Sequence, residues 1–346
     1  MSLKIYSITE CEEWDRIVRS FSNYDVYWLS GYVKAFMIHG DGIPLLFYYD
    51  DGSVRGINVV FKRDIADCDV FKDKIHRDEY FDLTTPYGYG GWLIEGNQSD
   101  CIFEEYEEYC NANNIISEFV RFHPVLGNSS FSSSFYDIIE LGKTITMDLS
   151  SPDVVWENLS SKNRNMIRKA QKNGVCIMNG RSQELFDKFI DIYNETMAKD
   201  NAKTYYYFKS DFYKSVLNDL PYNSQIFYAE LNNQIIASSI ILTTNGMMNY
   251  HLSGSKREFS NLAPTNLLLY HAALWGAYNG YKSFYLGGGV GSAEDSLFKF
   301  KKAFYRKDDL HSFFIGKKIF MKEKYEWLVS LRNNVTDEAF FPKYRA

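Results

Sequence analysis

The sequence predicts two mixed α/β domains of one architecture in tandem, and three observations carry that prediction. At 346 residues the chain is too long for one ordinary core. The order strand, two helices, three antiparallel strands, helix, strand can be read twice, once in 1–150 and once in 151–346. The second reading closes on YKSFYLGGGVGSAEDSLFKFKKAF (281–304), a glycine-rich strand end that feeds a basic amphipathic helix.

In the first half, Lys4 to Ser7 reads as a short strand, and Thr9 with Glu12 as a capping box for a helix running to Phe21. A second helix is expected over Leu29 to His39. Ile43 to Tyr49 and Val54 to Lys62 form a hairpin across Asp51-Gly52. A strand at Tyr80 to Thr84, the loop TTPYGYGG, a helix at Phe103 to Asn111 and strands at Ile116 to Phe122 and Thr144 to Leu149 complete it. The join is placed at Ser150 to Asp153.

The second half opens with a strand at Val175 to Met178, and Phe186, Phe189, Ile190, Tyr193 and Met197 fall on one helical face. A helix over Asp211 to Leu220 follows, then a hairpin of Ile226 to Leu231 and Ile235 to Leu242 around Asn232-Asn233, and a strand at Met247 to Leu252. Thr265 and Asn266 open a helix that Gly280 ends as a left-handed cap. After the strand to Leu286 and the glycines Gly287, Gly288 and Gly289, Ser296 is expected to cap a helix at 296–305. That helix has Leu297, Phe300 and Phe304 on its apolar face, Lys299 and Lys302 in solvent, and Lys301 at the boundary.

Composition excludes several classes of protein. With 45% hydrophobic residues, 24% charged and 7 prolines, little of the chain is suited to disorder. The 27 tyrosines and 26 phenylalanines suit large sheets with wet clefts. A net charge of -6 argues against nonspecific coating of nucleic acid, while a local basic patch can still serve a phosphate-bearing ligand. Five scattered cysteines with no C-x-x-C pair speak for a reducing compartment and against disulfides or a zinc knuckle. No apolar run reaches eighteen residues, so the expectation is a cytoplasmic protein whose contact with a membrane is at most peripheral, at its inner face.

The sequence has no G-x-x-x-x-G-K-[ST], and GGGVG is not G-x-G-x-x-G, which disfavours nucleotide hydrolysis and dinucleotide redox chemistry. H-E-x-x-H and a Ser/His/Asp set are absent as well, and no metal site is expected. In SKNRNMIRKAQKNGV (161–175), Ser161 is a good N-cap and Gly174 a good stop, with Arg164 and Arg168 one helical turn apart and Lys162 beside them. Two guanidinium groups on one face can grip a diphosphate; the plain alternative is a solvated basic helix. Tyr250 and His251 lie at the end of the strand that would line the cleft; a lone His251 is more often a satisfied structural residue than a base, and Tyr250 serves equally well as a packing residue.

Three stretches, 161–175, YHLSGSKREFSNLAPTNLLLYHAALWGAYNG (250–280) and FYLGGGVGSAEDSLFKFKKAF (284–304), resemble the Fem family of aminoacyl transferases that build peptidoglycan cross-bridges, and its GNAT-like relatives. The first half is similar more loosely, through FDLTTPYGYGG (81–91). The resemblance implies two tandem GNAT-like acyltransferase domains, 1–150 on the acceptor side and 151–346 with the active site. It implies transfer of an acyl or aminoacyl group to an amine of a cell-wall precursor, with a nucleotide- or lipid-linked sugar or muropeptide as acceptor. The donor is then aminoacyl-tRNA or acyl-CoA, and no cofactor is held permanently. In F-K-x-x-F, Lys301 matches the family's residue near the reacting centre, with Tyr250 as its catalytic companion. Arg164, Arg168, Lys162, Tyr87, the three glycines and Phe300 are then substrate-binding. Two departures from pattern bear on the donor: SNLAPTN replaces the R/Q-x-x-G-x-G/A loop of CoA-dependent relatives, and 197–224 is too short for the helical hairpin of cross-bridge-forming members. Two other readings remain: an acetyl-CoA-dependent N-acetyltransferase acting on an amino sugar of surface polysaccharide, and a non-catalytic sugar-phosphate-binding relative.

Overall fold

The computed structural model describes residues 2–96, 100–332 and 339–346. The chain forms two compact units, one of residues 1–141 with 313–346 and the other of residues 142–312. These are not the two halves of the sequence. A strand not anticipated from the sequence, His311–Ile319, pairs antiparallel with Ile115–Arg121, from Ile315 opposite Arg121 to Ile319 opposite Ser117, and takes the rest of the chain back to the first unit.

In the first unit, Leu3–Ser7, Ile43–Asp50, Val54–Asp64, Phe81–Thr84, Ile115–Arg121 and His311–Ile319 lie side by side in that order, and Leu93–Gly96 adds to Val54–Asp64. Trp92, Ile102, Phe103, Tyr106 and Phe122 pack its core. The first capping box is Ser7 with Glu10, two residues ahead of the expected Thr9 and Glu12, because S-x-x-E also occurs there and caps the short 3-10 helix Ile8–Glu10 that leads into Cys11–Ser20.

Two buried carboxylates sit in this unit. Glu118 lies between Tyr136, whose hydroxyl donates to its Oε2 at 2.7 Å, and Asn58, whose amide donates to its Oε1 at 3.2 Å. Burial pushes its pKa up to about 7 against these hydrogen bonds and the more distant Lys318. Asp82 is equally buried, but Arg63 at 2.8 Å and Arg345 at 2.5 Å outweigh the cost of desolvation and hold its pKa below the usual carboxylate value. Tyr344, fully buried, adds its hydroxyl to Asp82 at 3.1 Å.

In the second unit the order is Asp137–Asp148, Ser283–Gly287, Met247–Ser255, Gln234–Thr244, Ser224–Leu231 and Cys176–Gly180. All neighbours are antiparallel except Met247–Ser255 with Ser283–Gly287. Asn232 and Asn233 take φ of 51° and 62°, the left-handed pair that a two-residue hairpin turn requires. Helices Pro152–Glu157, Ser161–Lys172 and Pro264–Tyr278 bury Val155, Ile167 and Leu268 in its core. Helix Gln183–Lys199 buries Phe186, Phe189, Ile192, Tyr193 and Thr196, so the expected stripe shifts from Ile190 and Met197 to Ile192 and Thr196.

Candidate active site

The parallel pair sets the geometry. Met247 to Asn249 are in register with Ser283 to Tyr285, and among the described residues the pairing stops there. Tyr250 is thus the first residue past the pairing on one strand, and Leu286 and Gly287 continue the other. The two strands splay apart at this point, and the glycines follow directly from it.

Gly287 has φ of 82°, a left-handed backbone that a side chain would strain. At Gly289 an added Cβ would collide with the carbonyl of Ala293 and the carboxylate of Asp295. The turn is therefore closed against the start of the next helix, Ser296–Lys302. Its N-cap is Asp295, not Ser296: the carboxylate accepts from Phe298 N at 2.8 Å and from Val290 N at 3.1 Å, tying the glycine turn and the helix together. This one-residue shift also turns the helix. Its buried positions are Phe298 and Lys301, and Leu297, expected inward, is 37% exposed.

Lys301 is thus drawn inside. It is 9% exposed, and its ammonium donates to the Gly288 carbonyl at 2.7 Å without an ion pair among the described residues. Burial lowers its pKa to about 8, with Asp295 working in the opposite direction. Its neighbours differ in kind. Lys299 is exposed, and Lys302 is bound to Asp308 at 3.1 Å and to the Lys307 carbonyl. Phe300 is half-buried and meets Phe304 edge to face at 5.5 Å.

Helix Ser161–Lys172 begins beside this element. Its cap is Ser160, one residue before the expected Ser161, because Ser160 keeps extended backbone while its side chain accepts from Asn163 N. Ser160 N and the Asn163 amide both donate to the Ala303 carbonyl, at 2.9 and 3.3 Å. Asn266 in turn donates to Asn163 Oδ1 at 2.8 Å. The end of the Lys301 helix and the starts of the Ser161 and Pro264 helices therefore meet at Asn163. Asn163, and the part Asn266 plays beside it, escaped the sequence reading, which has Asn266 only as a helix opener; the available signal was Asn163 itself, a polar residue on the same helical face as Ile167 and Ala170. Lys162 and Arg168 are exposed and Arg164 half-buried, with no carboxylate within ion-pair distance among the described residues. Arg168 lies over the Trp156 ring at 5.2 Å.

The loop in place of the glycine-rich pattern is a 3-10 helix, Arg257–Leu262, followed by Ala263 at φ 55° and Pro264 at the first helical position. The helix thus opens at Pro264, one residue before the expected Thr265. Ala263 reaches the left-handed conformation without being glycine. At Tyr250, burial raises the phenol pKa, with the nearby Ser253 and Ser239 side chains working in the opposite direction. The adjacent bulge sets Ile240 opposite Leu252 and Ile241 opposite Tyr250, leaving His251 as the extra residue. Burial takes the His251 pKa down to about 3, which makes it a feeble base. Tyr87 belongs to the first unit, where its ring stacks on Phe36 at 5.3 Å and its carbonyl accepts from the Tyr32 hydroxyl.

Among the described residues no group of three His, Cys, Asp or Glu could hold a metal, and no helix is long and apolar enough to cross a membrane. Between Met197 and Ser224 lie only a 3-10 helix, Thr204–Tyr206, and the helix Ser210–Asp219.

Residues 159–302, which include Asn163, Tyr250, the glycine turn and Lys301, match the family model described as acetyltransferase (GNAT) domain. The structure is similar to that of FemX, with a TM-score of 0.66 and 12% identity over 94% of this chain and 99% of that one. The chain has a Fem-like GNAT fold. This Fem-like fold is also similar to that of a conserved protein of unknown function from Bacteroides thetaiotaomicron, at TM-score 0.60 and 10% identity over 91% of this chain and 99% of that one. No curated protein matches the sequence.

Proposed function

We propose that this Fem-like protein is an acyltransferase that joins an acyl or aminoacyl group to an amine of a sugar-linked, phosphate-bearing acceptor such as a cell-wall precursor. The observation that carries the reading is the buried Lys301 ammonium, held on the Gly288 carbonyl where the two parallel strands splay. When the amine attacks the acyl carbon, a C–N bond forms and negative charge builds on the carbonyl oxygen. Lys301 meets that oxygen from a poorly solvated position where one charge counts for more. Collapse of the intermediate breaks the bond to the leaving thiolate or alkoxide, which departs with the amine's proton. Tyr250, a protonated phenol at the splay, orients the reactants by hydrogen bonding. Arg164, Arg168 and Lys162 take the acceptor's phosphates, with Phe300 and Gly287 to Gly289 shaping the reacting end. Tyr87, in the first unit, is a further candidate for substrate binding, and the reaction is cytoplasmic.

The match of 159–302 to an acetyltransferase model and the short 197–224 connection favour acyl-CoA over a tRNA-borne donor. Thermal shift with acetyl-CoA, aminoacyl-tRNA and a UDP-linked muropeptide separates the cases, since a ligand at one hundred times its Kd stabilises by about 2.7 kcal/mol. The central test is Lys301→Met, expected to lower kcat by roughly 10²–10³ with KM and folding nearly unchanged, while Lys299→Met and Lys302→Met do far less. Three variants of equal activity would reduce Lys301 to one charge among several.

A further inference from the structure

A recess lies at the end of the second unit's sheet away from Lys301, where Ser224–Leu231 and Ser283–Gly287 begin and where Gln234–Thr244 and Pro264–Tyr278 end. Its volume is about 300 Å³, at the small end for ligand pockets. Tyr281, on its wall, precedes Gly287 by six residues, roughly 20 Å along an extended chain, so the recess is separate from the Lys301 site. Trp275 and Tyr281 stack at 5.6 Å and 25°, and Tyr222 stands 87% exposed beside them. Around these rings lie Gln225, Thr243 and Asn279. The Gln225 amide, the Tyr281 hydroxyl and the Trp275 indole N–H make no hydrogen bond among the described residues. Asn279 donates to the Trp275 carbonyl at 2.7 Å, which leaves its Oδ1 to accept.

No lining residue is charged. A charged ligand would lose hydration here without an ionic partner, and a purely apolar one would strand the amide and hydroxyl groups. A flat ring with an apolar face and a rim of hydroxyls satisfies both conditions, because aromatic side chains offer a broad apolar surface next to a polar edge. We propose that this recess binds a neutral saccharide ring, its face on the aromatic side chains and its hydroxyls on Gln225, Asn279 and Tyr281. The inference is independent of the transferase reading.

Saturation-transfer NMR on the full chain tests it, with methyl β-glucoside, N-acetylglucosamine and its β-1,4 dimer as neutral probes and glucose 6-phosphate as the charged control. At least one neutral sugar should receive saturation and the phosphate much less. Tyr222→Ala and Gln225→Ala, both at accessible positions, should each weaken that binding about tenfold, as loss of one good contact does, while Arg164→Ala leaves it unchanged. No transfer to any neutral sugar overturns the proposal. So does binding that survives both recess variants, since the sugar would then sit elsewhere.

Discussion

Glu118 in the first unit and Lys301 in the second are both buried ionisable groups whose pKa values burial moves toward neutrality, to about 7 and about 8. Their surroundings differ. Glu118 is enclosed in a core and engaged by the Tyr136 hydroxyl and the Asn58 amide. Lys301 rests on one carbonyl at the end of a glycine turn, beside strands that have stopped pairing. Burial and a shifted pKa therefore do not mark a site by themselves; donor capacity left over beside an opening does. An ammonium has three protons to give, and one carbonyl uses one of them.

The sharpest way to break this contrast is the pH profile of the reaction. If the Lys301 ammonium is required, kcat/KM falls about tenfold per pH unit above roughly 8. A profile flat to pH 10 would put Lys301 alongside Glu118 as a structural group. Next in size is the stability of the first unit. The folded pKa of Glu118 is raised above its unfolded value, so the folded state holds the proton more tightly and stability falls as pH rises from about 4.5 through about 7. The loss levels off above that at on the order of 3 kcal/mol. Glu118→Gln should abolish that slope and raise the denaturation midpoint at pH 8. The new amide can donate to Asn58 Oδ1, which has no hydrogen-bond partner, once the Asn58 amide turns over. A pH dependence retained in the variant would show that other groups supply it.

The exposed cations give a smaller effect. Arg164→Ala and Arg168→Ala should each weaken acceptor binding by about 1.5–3 kcal/mol and leave the remainder less sensitive to salt. An unchanged Kd in both makes that helix a solvated face. Smallest is Asp295→Asn, which keeps a capping side chain but removes the charge that raises the Lys301 pKa. The alkaline limb should move a few tenths of a unit to lower pH, as expected for one well-solvated charge; movement the other way would contradict the electrostatic influence of Asp295 on Lys301.

Much of the second unit was legible in the sequence because its signals are local. Asn232-Asn233 demands a tight hairpin, Gly280 a left-handed stop, and F-K-x-x-F a lysine at the inner edge of a short helix. Less legible were choices between adjacent candidates. Ser160 and Asp295 cap their helices where Ser161 and Ser296 were expected, since serines and aspartates side by side all suit a cap, and the packing of Asn163 and Phe298 decides among them. Least legible was the fate of the last residues. HSFFIGKKI offers a strand with no turn to fix its partner, and pairing with Ile115–Arg121 spans nearly two hundred positions of sequence.

That return has a consequence for how the protein is made. Residues 142–312 are contiguous and leave the ribosome as a complete folding unit, whereas the first unit, though synthesised first, waits for its last strand. Until Arg345 arrives, buried Asp82 has, among the described residues, only Arg63 to balance it. Completion of the fold thus runs in reverse of chain order: the part that carries Lys301 has all its residues before the part that the chain begins with, and a released chain truncated after residue 312 would present a folded second unit on an unfinished first.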